Sequence, residues 1–243
     1  MWALLRKVSR LRSHAESVTE LYLDLTRQDQ RAKGLQHLAE QLNVRIVPAE
    51  RKRLDGMVGS DKHQGCVARV STIKLAVSID DVLDVLNEPP LLLVLDGVQA
   101  PHNLGACLRL ADALGAHAVI APKDRAVGVN ATVRKVACGA AEVVPFIAVT
   151  NLARSLRELK EREIWVVGAA GDAEQDLMGA TLKGALAWVL GAEGEGLRRL
   201  TREHCDELLR IPMLGSVDSL NVAVASGICL YETRRQRARI EPA

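Results

Sequence analysis

Asparagine, arginine, glutamate and serine residues that could act on a hydroxyl group stand in three short motifs in the second half of the chain. The first motif, DGVQAPHNLGACLR, runs from Asp96 to Arg109 and follows an apolar run. Its Asn103 is placed to cap a helix through its side-chain oxygen. The guanidinium of Arg109 suits the stabilisation of a developing anion. A capped helix with a surface arginine would explain the same pattern.

The second motif is a glycine-rich loop, Gly191–Gly196 (GAEGEG). Its glycines let backbone N–H and C=O groups face a flat polar ligand. The loop departs from the G-x-G-x-x-G fingerprint of dinucleotide-binding proteins, because Glu193 stands in place of the middle glycine. A carboxylate there repels a pyrophosphate but tolerates a sulfonium cation. The motif therefore disfavours a dinucleotide-dependent enzyme, although a plain strand-to-helix turn also fits it.

The third motif, Ile211–Val222 (IPMLGSVDSLNV), mixes small polar and apolar side chains where a strand passes into a helix. Such a mixture suits an amphiphilic ligand such as a nucleoside. Ser219 is a favourable N-cap for the helix. Ser219 and Asn221 can also hydrogen-bond a ribose or orient a cofactor, and helix capping alone is the simpler interpretation.

Apolar strands that alternate with helices must position these motifs from residue 91 onward. The alternation predicts an α/β domain with a mostly parallel sheet covered on both faces. Ligands bind at the carboxyl ends of the strands in such sheets. The loops of interest are therefore 96–103, 168–172, 191–196 and 211–219.

The first 72 residues predict a small, separate α/β unit with short strands and one clear helix, Asp29–Leu42. The segment Glu50–Gln64 is polar and predicts a surface region of loops and turns. The predicted organisation is a small domain over 1–72, a linker over 73–90 and a main domain over 91–243.

The amino-acid composition limits the class of protein to which this chain can belong. Hydrophobic residues make up 48% and charged residues 26%, which is typical of a soluble globular protein. No apolar run reaches the ~18 residues of a membrane span, and the short apolar part of Met1–Arg12 does not fit a secretory signal. We therefore expect a cytoplasmic protein. The five scattered cysteines predict buried free thiols and no metal site.

Charge is distributed unevenly along the chain. Residues 1–72 carry 13 Lys/Arg against 8 Asp/Glu, and the remainder carries 19 against 22. A basic front end suits contact with a polyanion such as RNA, and a solvated basic surface explains it equally well. Aromatic residues are only 2% of the chain, which argues against a base-stacking platform. The candidate RNA contacts are Arg51, Lys52, Arg53, Lys62 and Arg125.

In this order, the three motifs resemble those of the SpoU branch of the SPOUT methyltransferases. Each motif is short, but the ordered set spans most of residues 90–232 and is highly specific. His63-Gln64-Gly65 resembles the end of the L30e-like RNA-binding domain that precedes the catalytic domain in many members. The resemblance is strongest to members that methylate the 2′-oxygen of a guanosine in the P loop of 23S rRNA, with further matches at Pro122–Arg125 and Asn130–Glu142.

The resemblance implies S-adenosylmethionine as cofactor, a C-terminal trefoil knot, a homodimer, and 23S rRNA or a pre-50S particle as partner. Met1–Arg12 departs from the family, because it lacks the usual first strand and helix start. The implied catalytic set is Asn103, Arg109, Glu193, Ser219 and Asn221, and the implied cofactor contacts are Gly191, Ile211 and Leu220. We add Gly196 and Met213, from the same motifs, as candidate cofactor contacts.

Two alternatives remain beside rRNA methylation. A tRNA ribose methyltransferase of the same branch would share the chemistry, but the separate front domain favours rRNA. A non-catalytic RNA-binding or ribosome-assembly protein could keep the fold, but the complete set of catalytic residues speaks against it.

Overall fold

The computed structural model describes residues 18–24, 26–27, 29–59, 61, 63–70 and 77–238. Met1–Arg12 and the candidate RNA contact Lys62 lie outside these residues. The chain divides into two compact units, Met1–Lys74 and Leu75–Ala243.

The first unit contains a three-stranded sheet in the order β2-β1-β3. Strand β1 (Val18–Leu23) runs parallel to β2 (Arg45–Pro48) and antiparallel to β3 (Cys66–Val70). Helix α1 (Gln30–Gln41) begins at Asp29, whose carboxylate accepts hydrogen bonds from two backbone N–H groups of the first turn. Its apolar face packs on β1 and forms the small core of this unit.

A second helix, α2 (Arg51–Val58), occupies part of the segment that we predicted as loops and turns. That prediction was wrong because the helix buries only Leu54, so it lacks the apolar periodicity that reveals a helix in a sequence. It ends at Gly59, which adopts a left-handed conformation with φ of 64°. Its first turn carries the basic residues at positions 51–53, all exposed.

The second unit is built on a seven-stranded sheet in the order β6-β5-β4-β9-β7-β10-β8. Every described pairing in it is parallel, which confirms the predicted α/β class. The order is consistent with the SPOUT fold, while the trefoil knot stays a prediction of the resemblance. The strands are β4 (Leu91–Asp96), β5 (Ala118–Pro122), β6 (Phe146–Val149), β7 (Trp165–Ala169), β8 (Gln175–Asp176), β9 (Leu186–Gly191) and β10 (Glu207–Arg210).

Helices cover both faces of this sheet, as predicted. On one face, apolar residues of α3 (Ile79–Leu83) and α6 (Leu152–Glu161) pack against β4, β7 and β9. On the other, the buried indole N–H of Trp188 donates to the hydroxyl of Thr233 on α8, at 2.9 Å. The helices are α3 (Ile79–Leu83), α4 (Pro101–Ala113), α5 (Ala131–Ala137), α6 (Leu152–Glu161), α7 (Arg199–Glu203) and α8 (Val222–Ala238).

Two of the predicted helix caps are wrong. Helix α4 begins at Pro101, whose fixed φ suits the first helical position, so Asn103 lies inside the first turn. Helix α8 begins at Val222, three residues after Ser219. Asn221 caps it instead, because its Oδ1 accepts a hydrogen bond from the backbone N–H of Ala223 at 2.9 Å. This cap uses only the amide oxygen, so Nδ2 of Asn221 can contact other elements.

Within the described ranges, no helix is long and apolar enough to cross a membrane, and no cluster of three or more His, Cys, Asp or Glu side chains could hold a metal ion. The five cysteines are free thiols. The prediction that they are buried is confirmed for Cys107 and Cys229, whereas Cys66 and Cys205 are partly buried. It is wrong for Cys138, which is exposed because it ends a surface helix, α5.

Candidate active site

The three motifs meet at the carboxyl ends of the central strands. Strands β4 and β9 are neighbours, and their last register pair joins Asp96 to Gly191. The first motif leaves β4, the second leaves β9, and the third follows β10. Since all these strands are parallel, their following loops emerge at the same edge of the sheet.

Asn221 connects the three motifs through its side chain. Its Nδ2 donates to Oδ1 of Asn103 at 3.0 Å and to the carboxylate of Glu193. Asn103 lies on α4, Glu193 lies in the glycine loop, and Asn221 is held by its capping bond to α8. Three predicted catalytic residues from distant parts of the chain therefore form one hydrogen-bonded network.

The other two predicted catalytic residues have different partners. Arg109 is exposed on α4, and its Nη1 donates to Sγ of Cys138 at 3.8 Å. Ser219 donates to Oδ1 of its neighbour Asp218 at 3.1 Å. Asn103 and Glu193 thus contact Asn221 rather than Arg109. Sequence reasoning missed Cys138 as a neighbour of Arg109, because a lone cysteine forms no pattern.

Gly105 explains how Cys138 comes to lie beside Arg109. A Cβ at position 105 would lie 2.7 Å from Cβ of Val136 and 2.9 Å from the carbonyl of Val133. A glycine therefore lets α5 pack directly on α4. Arg109 lies four residues after Gly105 on the same helix face, so the end of α5 at Cys138 meets it.

A cavity of about 460 Å³ adjoins the network, a volume within the range of small-molecule sites. Glu193 and Ser219 line it, and Leu190 and Val222 give it apolar walls. Every residue that we predicted to contact the cofactor lies in its lining: Gly191, Gly196, Ile211, Met213 and Leu220.

The glycine loop folds back on itself along this cavity. Ala192 and Gly196 form an antiparallel bridge, with the N–H of Gly196 donating to the carbonyl of Ala192 at 3.0 Å. A Cβ at Gly191 would lie 2.0 Å from the carbonyl of Gly196, so only glycine fits there. The loop itself therefore requires the glycine at its start, whatever ligand it binds.

The residues present fit S-adenosylmethionine. Its nucleoside part needs apolar walls and backbone hydrogen-bonding groups, which the strand end and the glycine loop provide. Its sulfonium charge is compatible with the carboxylates of Glu193 and Asp218 in the lining.

Cys107 lies on the inner face of α4 near the network, but it is a poor nucleophile. It is fully buried and contacts the hydroxyl of Ser226 on α8 at 3.6 Å. Burial raises the pKa of its thiol to about 11, so the thiolate is scarce at neutral pH.

The predicted RNA contacts fall in both units. Arg51, Lys52 and Arg53 lie in the first turn of α2, where the guanidinium of Arg53 lies 5.6 Å from the ring centre of Tyr22. In the second unit, Arg125 is exposed in the loop after β5. This loop is tied to the first motif, because the N–H of residue 127 donates to the carbonyl of residue 98 at 3.0 Å.

Comparisons with known proteins agree with this geometry. Residues 90–231 match the SpoU rRNA Methylase family, and residues 8–75 match the family described as RNA 2′-O ribose methyltransferase substrate binding. The chain is 60% identical over 230 residues to the 23S rRNA (guanosine-2′-O-)-methyltransferase RlmB of Ralstonia nicotianae, which covers 95% of this chain and 92% of the relative. It is 58% identical to RlmB of Bordetella pertussis, with coverage of 95% and 94%.

A solved structure shows the same similarity. The SpoU methyltransferase AviRb from Streptomyces viridochromogenes, in complex with AdoMet, superposes with a TM-score of 0.71 at 26% identity and covers 97% of this chain and 89% of its own. The predicted resemblance is therefore confirmed. Because one family model covers more than half of the chain and the relatives cover nearly all of it, this chain belongs to the SpoU rRNA methylase family.

Proposed function

We propose that this enzyme transfers a methyl group from S-adenosylmethionine to the ribose 2′-oxygen of a guanosine in the P loop of 23S rRNA. The observation that carries the proposal is the network of Asn103, Glu193 and Asn221 beside the cavity of the glycine loop. The relatives named for this reaction at high identity support the choice of substrate.

The glycine loop and the segment from Ile211 to Leu220 would hold S-adenosylmethionine. When bound, the cofactor supplies an electrophilic methyl group on a sulfonium that departs as a neutral thioether. The chain must then hold the ribose oxygen about 3 Å from the methyl carbon, opposite the departing sulfur. Nδ2 of Asn103 takes no part in the bond to Asn221, which uses Oδ1 of Asn103, so this amide nitrogen is suited to orient the ribose.

Arg109 would stabilise the alkoxide that develops on the 2′-oxygen. A guanidinium stays protonated in proteins, so Arg109 can donate hydrogen bonds but does not serve as the base. A water molecule or an RNA phosphate takes the proton. The contact of Arg109 with Cys138 holds the guanidinium at the exposed face of α4.

The first unit would bind RNA through the start of α2. A helix N-terminus carries a partial positive charge that favours phosphate, and residues 51–53 add three cations at this point. Cations here oppose the helix dipole, which is unfavourable for the helix alone but favourable once a polyanion is present. We assign residues 1–72 to RNA binding, 73–90 to the linker and 91–243 to catalysis.

The same proposal includes the form of the substrate, the location of the enzyme and its oligomeric state. The substrate is 23S rRNA or the pre-50S particle, and either places the enzyme in the cytoplasm. We expect a homodimer, since two-fold dimers are the commonest assembly of such chains. Sedimentation of the purified protein measures the assembly directly, and a monomer at micromolar concentration would contradict this part.

The test is mass spectrometry of 23S rRNA from cells with and without the gene. We expect loss of one 2′-O-methylguanosine in the P loop, restored by the wild-type gene and not by an Arg109→Ala variant. Unchanged rRNA with a lost tRNA ribose methylation would replace the proposal with a tRNA enzyme. Unchanged methylation of both RNAs would point to a non-catalytic role in ribosome assembly.

A further inference from the structure

Asp96 is a buried carboxylate at the carboxyl end of β4 that the proposed mechanism does not use. Its side chain is 0% exposed. Oδ2 accepts a hydrogen bond from the backbone N–H of Arg198 at 3.0 Å. Oδ1 accepts none from the described residues, and lies 3.5 Å from Nε of Arg198. Burying a carboxylate costs desolvation energy even when it is paired, so stability alone does not explain an aspartate at this position.

Asp96 holds both ends of the glycine loop. Its backbone pairs with Gly191 in the register of β4 and β9, where the loop begins. Its side chain holds Arg198, where the loop ends. The guanidinium of Arg198 also packs over Gly97, where a Cβ would lie 2.8 Å from Nη2. One residue therefore closes the loop at its base.

The loop between these two points carries the groups that face the cavity and the network. Gly191, Gly194 and Gly196 line the cavity, and the carboxylate of Glu193 accepts from Asn221. A loop rich in glycine loses much conformational entropy when it becomes ordered. If the loop is already fixed at both ends, ligand binding does not have to order it.

We propose that Asp96, acting through Arg198, is a positioning residue that keeps the glycine loop in the shape that binds S-adenosylmethionine and presents Glu193 to Asn221. The inference rests on the proposed function, because it takes the cavity as the cofactor site. Asp96 does not line the cavity, so it acts through the loop rather than by contact with the cofactor.

The test is Asp96→Asn in the full-length protein, which keeps the size of the side chain and removes the charge opposite Arg198. Isothermal titration calorimetry with S-adenosylmethionine should show a Kd about tenfold higher. This is the loss of affinity expected when a residue that supports the direct contacts of a site is changed. The kcat should fall, while the Kd and KM for 23S rRNA fragments stay at wild-type values. An unchanged Kd for S-adenosylmethionine would overturn the proposal.

Asp206→Asn is the matched control for stability. Like Asp96, Asp206 accepts a backbone N–H, that of Val166 in β7 at 2.9 Å, and it pairs with Lys160 at 2.6 Å. It precedes β10 and therefore lies at the opposite edge of the sheet. We expect it to lower Tm without changing the Kd for S-adenosylmethionine. An equal loss of affinity in both variants would mean a general stability effect and would also overturn the proposal.

Arg198→Ala keeps the test decisive if Asp96→Asn does not fold. It removes the guanidinium but keeps the backbone N–H that bonds Asp96. Arg198→Lys retains a positive charge and should recover most of the affinity that Arg198→Ala loses. Equal, wild-type affinity in both Arg198 variants would contradict the role of Asp96. Failure of the wild-type protein to bind S-adenosylmethionine would instead contradict the proposed function.

Discussion

At the scale of single residues, the side chain of Asn221 has two roles, which the sequence alone does not distinguish. Its Oδ1 caps α8 while its Nδ2 bonds Asn103 and Glu193. Capping fixes the side chain before any ligand arrives, so the amide is already oriented. This rigidity is what a site needs to hold a reacting group in line.

Arg109→Ala tests the assignment of the alkoxide stabiliser. We expect kcat to fall about 10²–10³-fold, the usual effect of removing one such donor, with the Kd for S-adenosylmethionine unchanged. Single-turnover methylation of a 23S rRNA fragment measures the chemical step. Arg134→Ala, which removes an exposed arginine of α5 that pairs with Glu142, is the control and should retain its rate. Near wild-type turnover by Arg109→Ala would remove Arg109 from the mechanism.

The thiols should differ sharply in reactivity. Burial raises the pKa of Cys107 to about 11 and that of Cys229 to about 12, whereas Cys138 is exposed. We expect native protein at pH 8 to be alkylated by iodoacetamide at Cys138 and not at the two buried thiols, as peptide mass spectrometry would show. Cys138→Ser should lose the fast modification. Rapid labelling of Cys107 in folded protein would contradict the packing of α4 on α8.

At the scale of elements, the packing of α5 on α4 and the short helix α2 decide where charges lie. Gly105 sets the first contact by allowing close approach to Val133 and Val136. Helix α2 places positions 51–53 in its first turn, at the helix N-terminus. Both helices therefore give basic residues defined positions.

Neutralising the start of α2 should weaken RNA binding and leave chemistry intact. For Arg51→Gln, Lys52→Gln and Arg53→Gln combined, we expect a higher Kd for a 23S rRNA fragment. The slope of log Kd against log salt should fall by about 1 for each phosphate that the variant no longer binds. Fluorescence anisotropy across a salt series measures both.

The matched control for this surface is the double change Arg31→Gln and Lys33→Gln on α1, compared with Arg51→Gln and Lys52→Gln on α2. It removes two positive charges from the same unit and should have a smaller effect on the Kd and on the salt slope. Wild-type RNA affinity in the α2 variant would count against the start of α2 as an RNA-binding surface.

At the scale of the whole catalytic unit, arginine side chains of α8 hydrogen-bond to the segments that precede β4 and β5, at the amino ends of the parallel strands. Arg234 donates to the carbonyl of Leu114 at 2.8 Å, and Arg237 donates to the carbonyls of Pro89 and Pro90 at 2.9 and 2.8 Å. These contacts add hydrogen bonds to carbonyl groups at the end of α4 and just before β4. They hold the far end of α8, whose first residues meet the site.

The contacts of Glu88 with His117 and Arg234 should make the free energy of unfolding sensitive to acid. The hydrogen bond from His117, with Arg234 nearby, lowers the pKa of Glu88 below its usual 4.5. The stabilisation is therefore present above about pH 4.5 and is lost as pH falls through the lower pKa of the folded state. Glu88 is 56% exposed, so the effect should stay below about 1 kcal/mol. Urea unfolding of wild type and Glu88→Gln at pH 7 and pH 3.5 measures it, and an equal difference at both values would contradict it.

The sequence by itself determined the class of the fold and the family of the chain. Alternating apolar strands and helices are local patterns, so the helix predicted at Asp29–Leu42 forms at Gln30–Gln41. The three motifs identified the family because their residue types and order can be recognised without knowledge of their contacts.

Tertiary structure decided which of these residues touch. Asn103 and Asn221 stand 118 positions apart, and Asp96 and Arg198 stand 102 apart, so no local pattern joins them. No local pattern reveals α2 either, because its single buried residue leaves no periodicity to detect. Cys138 contacts Arg109 only because Gly105 lets α5 pack closely on α4. Short-range preference specifies the elements, but the order of parallel strands and the close packing of helices bring distant side chains to one edge of the sheet.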